Sequence, residues 1–135
     1  MGDITSRADG SLSESYCIYA FLKNGFSVFN PHRNNSVHDF IVSSCNDASR
    51  VFRIQVKTAM YEEGGDRYRA SLTHRFGRSC HYTKEEVDFF LIFIPEYECV
   101  YVVPNDKVRK SFKCTPHKDK KSINDVYKNN FSLIK

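Results

Sequence analysis

Apolar and polar side chains alternate most regularly between Arg50 and Ala59. Phe52, Ile54 and Val56 fall on one side of an extended chain there, and Arg53, Gln55 and Lys57 on the other. A period of two predicts a half-buried strand. The runs Val87 to Ile94 and Cys99 to Val103, linked by Pro95-Glu96-Tyr97-Glu98, are nearly continuous in β-branched and aromatic residues. They predict two further strands. Shorter strands are predicted at Phe26-Ser27-Val28-Phe29, at His38 to Val42, at Tyr68 to Thr73 and near Ser111 to Cys114, with a helical turn over Tyr82 to Val87.

Helical spacing appears twice. Ser11-Leu12-Ser13-Glu14 has the form of a capping box, and a stripe of Leu12, Tyr16, Tyr19, Ala20 and Lys23 runs on to a stop at Asn24-Gly25. An amphipathic helix is predicted from Ser122 to about Ser132, presenting Val126, Phe131 and Leu133. Residues 1–10 are polar and predict a flexible N-terminus, leaving 11–135 as one domain without repeats or linkers. The order of elements predicts an α/β (α+β) fold, a central mixed sheet flanked by an N-terminal and a C-terminal helix.

Strand pleating places the candidate chemistry. Gln55 and Lys57 are two apart and share a face. Asp39 opens the preceding strand, and Asn46-Asp47-Ala48 supplies a turn between them. Antiparallel pairing then carries Asp39 towards Gln55 and Lys57. Carboxylate and amide oxygens suit a hard divalent cation such as Mg²⁺, and an ammonium beside them can orient or deprotonate water and steady a phosphate. Each residue also has an ordinary use: Glu14 as the third residue of a capping box, Asp39 as a strand opener, Lys57 as a solvated lysine.

Charge adds a partner class. The net charge is +4, and basic residues gather at Arg67-Tyr68-Arg69, at Arg75 and Arg78, and from Lys107 through Lys121, interleaved with aromatics and histidine. That distribution suits a polyanion, and Asn34, Asn35, Ser36, Arg67, Arg69, Arg75 and Arg78 are candidate DNA contacts. Five scattered cysteines without CxxC predict thiols in a reducing compartment. Cys80-His81 and Cys114…His117 lack the two-plus-two spacing of structural zinc. The longest apolar run is too short for a bilayer and the opening residues have no apolar leader, which predicts a cytoplasmic protein without a membrane partner.

The ordered set Glu14, Asp39 and Gln55-Val56-Lys57 resembles the PD-(D/E)xK nuclease superfamily. In detail it is similar to the small homing endonucleases encoded in group I introns of cyanobacteria. The likeness runs through Gly10-Ser11-Leu12-Ser13-Glu14, Leu22-Lys23-Asn24-Gly25-Phe26, Asp39-Phe40-Ile41-Val42, Ile54-Gln55-Val56-Lys57-Thr58-Ala59, Tyr82 to Phe89 and Val100-Tyr101-Val102-Val103-Pro104. It implies a restriction-endonuclease-like domain that cuts double-stranded DNA with Mg²⁺, Mn²⁺ substituting. By that resemblance Asp39 is the principal metal ligand, Gln55 stands in for the second acid, Lys57 is the catalytic lysine and Glu14 reaches the metal from the first helix. His38 replaces the proline that names the motif, and Gln55 brings no charge, as in the homing-endonuclease branch. One active site per chain and two strands per duplex imply a homo-oligomer, a dimer or, by the resemblance, a tetramer. The alternatives are a Holliday-junction resolvase, from which the missing acid at Gln55 detracts, and an inactive DNA-binding module of the same fold.

Overall fold

A computed structural model describes residues 2–30, 39–44, 47–75, 79–107 and 110–135, without the side chains of 2–9, 74–75 and 79–80. Asn34, Asn35, Ser36, His38 and Arg78, and the side chain of Arg75, lie outside the described residues. The chain opens with helix α1 (Gly2–Lys23) and continues into strands β1 (Phe26–Phe29), β2 (Phe40–Ser44) and β3 (Asp47–Thr58). Three short strands and a hairpin partner follow: β4 (Met60–Glu62), β5 (Arg67–Ser71), β6 (Thr73–Arg75) and β7 (Ser79–His81). The apolar strands β8 (Phe89–Ile94) and β9 (Cys99–Pro104) come next, then β10 (Ser111–Cys114).

The central sheet has the order β1-β2-β3-β8-β9. It is mixed: β3 and β8 run parallel, and every other neighbouring pair in it is antiparallel. The connection between the parallel pair contains a second sheet, β10-β5-β4, whose third strand returns from later in the chain. Side-chain alternation divides the core into two layers. Phe40, Val42, Ile54, Val56, Leu91 and Phe93 meet Cys17, Ala20 and Phe21 of α1. Phe90, Ile92, Ile94, Tyr101 and Val103 meet Tyr68, Ala70, Leu72 and Phe112 on the other face. The result is helix, sheet, sheet. No helix among the described residues is long and apolar enough to cross a membrane.

Three expectations need correction. Helix α1 starts at Gly2, so Ser11 lies inside it and is not its N-cap. Its buried stripe is Ser13, Cys17, Ala20 and Phe21, while Leu12 and Tyr19 are exposed at 52% and 58%. The displacement has a polar cause. Ser13 faces the sheet because its hydroxyl bonds that of Thr58 at 2.6 Å, and a search for apolar periodicity skips serine.

The third correction is the C-terminal helix, replaced by 3-10 turns at Ile123–Tyr127 and Phe131–Leu133. Ser122 and Asp125 do form a capping box, but the turn is not propagated. Asn129 enters the left-handed region at φ 53°, which asparagine tolerates better than most residues. Its N–H bonds the Val100 carbonyl at 2.6 Å and its side-chain oxygen accepts the Val100 N–H at 3.0 Å. The tail is thereby spent on covering the outer edge of β9, where open backbone groups would otherwise face solvent.

Candidate active site

The site lies where β2 stops short of β3. The last rung between them pairs Phe40 with Ile54, and the Asp39 N–H adds one more bond to the Ile54 carbonyl at 2.8 Å. The next N–H of β3 directed to the same side is that of Val56, one place beyond that rung. The Asp39 carboxylate takes that place, Oδ2 accepting the Val56 N–H at 2.7 Å. This pins an acid on the peptide that joins Gln55 to Val56, between the two side chains of the Gln-x-Lys pair.

Helix α1 contributes Glu14 from the opposite layer. Burial raises its carboxyl above the ordinary range, and the charge of Asp39 together with a carboxyl–carboxyl hydrogen bond to Asp39 raises it further. The helix is fixed one residue earlier by the Ser13–Thr58 hydroxyl contact, which ties the step before Glu14 to the step after Lys57.

Lys57 projects from the other face of β3, half-buried. Burial lowers its ammonium below the ordinary lysine range, opposed by the attraction of Asp39. Its Nζ donates to Tyr82 Oη at 3.2 Å and lies 5.2 Å from the centre of the Tyr82 ring. Gln55 is partly buried on the same face of the strand and pairs with Phe90 of β8. The four residues thus arrive from three elements: α1, the start of β2, and β3.

Two carboxyl groups close enough to share a proton have the donor chemistry that a hard divalent cation satisfies, the metal taking the proton's place. Asp39 and Glu14 could hold such an ion, with the Gln55 amide oxygen as a neutral third donor. Among the described residues no group of three His, Cys, Asp or Glu is arranged for a metal, so an amide donor or water must complete any shell here. Tyr82 and the Ser13–Thr58 clamp were missed at the level of sequence. Neither belongs to a charged motif, and no local spacing announces either.

Of the candidate DNA contacts, Arg67 and Arg69 lie on the outer face of the small sheet, two residues apart on β5. Arg67 bonds Glu62 at 2.8 Å and Arg69 approaches it at 3.9 Å. Lys113, paired in register with Arg69, is exposed beside them. The inner face of the same sheet packs on the side of the central sheet that carries Lys57.

Known proteins share this fold. A solved bacterial homing endonuclease, I-Ssp6803I, superposes with a TM-score of 0.79 over 95% of this chain and 91% of that one, at 21% identity. At such low identity the likeness shows the fold, a restriction-endonuclease-like mixed sheet. No curated protein matches the sequence. A family model described as PD-(D/E)XK endonuclease matches residues 4–133, nearly the full length, and the chain belongs to that family of nucleases.

Proposed function

We propose that this nuclease is a Mg²⁺-dependent, site-specific endonuclease of the homing type that hydrolyses phosphodiester bonds in duplex DNA, with Glu14, Asp39, Gln55 and Lys57 as its active site. The observation that carries the reading is the Asp39 carboxylate seated on the Val56 N–H, with Glu14 hydrogen-bonded to it and Lys57 near enough to feel its charge. A bound divalent ion would supply a Lewis acid for the scissile phosphate and lower the pKa of the attacking water.

The protein's own part is placement. Asp39 is rigid because its second function is structural, and Glu14 is delivered by a helix clamped to β3. Lys57 holds its ammonium at the same edge, in a half-buried setting where it is strong enough to steady developing charge on the phosphate. Gln55 offers a neutral oxygen, so the cation is held by less negative charge than an acid there would give. Mn²⁺ fits the same hard donors. Arg67 and Arg69, with Asn34, Asn35, Ser36, Arg75 and Arg78, are the proposed DNA contacts.

A homo-oligomer is part of the reading, since one site serves one strand. Helix α1 turns Leu12, Tyr19 and Leu22, each more than half exposed, to one side, a surface that suits a second copy. The deciding experiment incubates the protein with linear duplex and with a four-way junction, with Mg²⁺, with Mn²⁺ and with chelator. Metal-dependent scission of duplex at a defined sequence is expected. Cutting confined to the junction would make it a resolvase, and DNA binding without cutting would make it an inactive module.

A further inference from the structure

We infer that Tyr82 is a positioning residue for Lys57, holding its ammonium at the edge of the site through its hydroxyl; the inference rests on reading Lys57 as the catalytic lysine.

A lysine side chain has four rotatable carbons and a strongly hydrated head, so fixing it in one geometry costs much rotamer freedom. Something must offset that cost if the ammonium is to be in place when substrate arrives. Tyr82 offers a fixed acceptor. Its Oη accepts from Nζ at 3.2 Å, and with the ring centre 5.2 Å away the nitrogen lies past the hydroxyl end of the ring. One hydrogen of the ammonium is engaged, and two remain for other partners.

Tyr82 is itself tightly held. It is 9% exposed, and its ring meets Phe90 edge-on, centroids 5.5 Å apart at 72°. Phe90 is the cross-strand neighbour of Gln55, so the platform under Tyr82 is continuous with the proposed site. The backbone of the 82–88 segment is braced from two sides. The Asn105 side-chain amide donates to the carbonyls of Tyr82, Thr83 and Val87 at 3.1, 3.1 and 2.9 Å. The Arg53 guanidinium donates to the Lys84 and Glu85 carbonyls and to Asp88. Arg53, Gln55 and Lys57 share one face of β3, so the strand that presents the lysine also anchors the loop that positions it. Support of this kind around a catalytic group is typically worth 10- to 100-fold in activity.

The experiment compares wild type, Tyr82→Phe, Tyr82→Leu and Lys57→Ala. Single-turnover cleavage of duplex DNA, duplex affinity in the absence of metal, melting temperature, and ¹³Cε relaxation of Lys57 in the metal-free protein are measured. Tyr82→Phe keeps the ring and its packing and removes only the hydroxyl. It is expected to lose about ten-fold in cleavage rate, with affinity and melting temperature unchanged and Lys57 Cε measurably more mobile. Tyr82→Leu is expected to lose more, and if it fails to fold, Tyr82→Phe still decides. A Tyr82→Phe protein with wild-type rate and wild-type Lys57 mobility overturns the inference, as does a rate loss matched by an equal loss of affinity or stability. An inert wild type, or a Lys57→Ala protein that cuts normally, overturns the reading beneath it instead. In that case the relaxation measurement still reports whether Tyr82 restrains Lys57.

Discussion

Asp39 and Val56 are joined by a 2.7 Å bond from a backbone N–H to a carboxylate, so one side chain is at once the last rung of a β-ladder and the acid nearest the Gln-x-Lys pair. The two duties separate on substitution. Asp39→Asn retains an oxygen that can accept the Val56 N–H but carries no charge. It should fold with a melting temperature near wild type and show no metal-dependent cleavage. Asp39→Ala strands a buried donor, which costs about 1–3 kcal/mol, and should melt several degrees lower. Equal melting temperatures for the two variants would refute the structural half of this claim.

Lys57→Ala should slow cleavage by at least about 100-fold while leaving duplex binding intact. Lys57→Met tests the electrostatic cost of the position. Burial, opposed by Asp39, sets the folded ammonium below its ordinary range. A depressed lysine contributes stability that is lost as pH falls through its folded value, so at neutral pH the charged form is carried at a cost. The methionine variant should be the more stable protein at neutral pH and below, with the gap closing as pH rises through the lysine range. Thermal melts across that range would show a constant difference if the reasoning is wrong.

Glu14→Gln is expected to separate metal-free from metal-bound behaviour. Burial first, then Asp39, raises the Glu14 carboxyl. A raised acid contributes stability that is present below its unfolded value and lost as pH rises through its folded one. Without metal, wild type should therefore lose stability relative to Glu14→Gln as pH rises from the ordinary glutamate range through the raised value of the folded protein. Added Mg²⁺ should restore wild type and do little for the variant. Parallel melting curves for the two proteins, with and without metal, would count against a shared site.

Much of this was legible in the residues. The alternation from Phe52 to Lys57 predicted which side chains share a face of β3, and the antiparallel pairing expected between the strand of Asp39 and the strand of Lys57 is the one observed. Those signals are local, set by pleat and turn chemistry. What could not be read was tertiary. Ser13 takes a core-facing position through a hydroxyl partner 45 residues away. Asn129 ends a well-capped turn because β9 has an open edge. Tyr82 meets Lys57 because Asn105 and Arg53 shape the intervening loop. In each case a long-range polar contact overrides a sound local preference, and no window of sequence contains both partners.

Gln55→Glu asks what the missing acid does. An added carboxylate beside Asp39 and Glu14 should raise affinity for Mg²⁺, because hard cations bind more tightly as ligand charge increases. The same substitution places three acids at one sheet edge, so the metal-free protein should melt lower than wild type. A lower half-saturating Mg²⁺ concentration together with a lower metal-free melting temperature is the expected pair of results. An unchanged Mg²⁺ titration would remove Gln55 from the metal's surroundings.

Glu62 offers a test of the proposed DNA-contact surface that does not touch the proposed active site. Its carboxylate bonds Arg67 and lies 3.9 Å from Arg69, and the bond to Arg67 is the main reason its carboxyl falls below the ordinary range. Two guanidinium groups therefore share one internal anion that competes with phosphate. Removing the competitor by Glu62→Gln should tighten duplex binding and leave the single-turnover cleavage rate unchanged. Removing the arginines should weaken binding to all sequences alike and flatten its salt dependence. Each arginine that touches phosphate contributes about 0.9 to the slope of log affinity against log salt. If Arg67→Ala and Arg69→Ala leave that slope where it was, these arginines serve only to fasten β5 to β4, and the duplex must lie against another face of the protein.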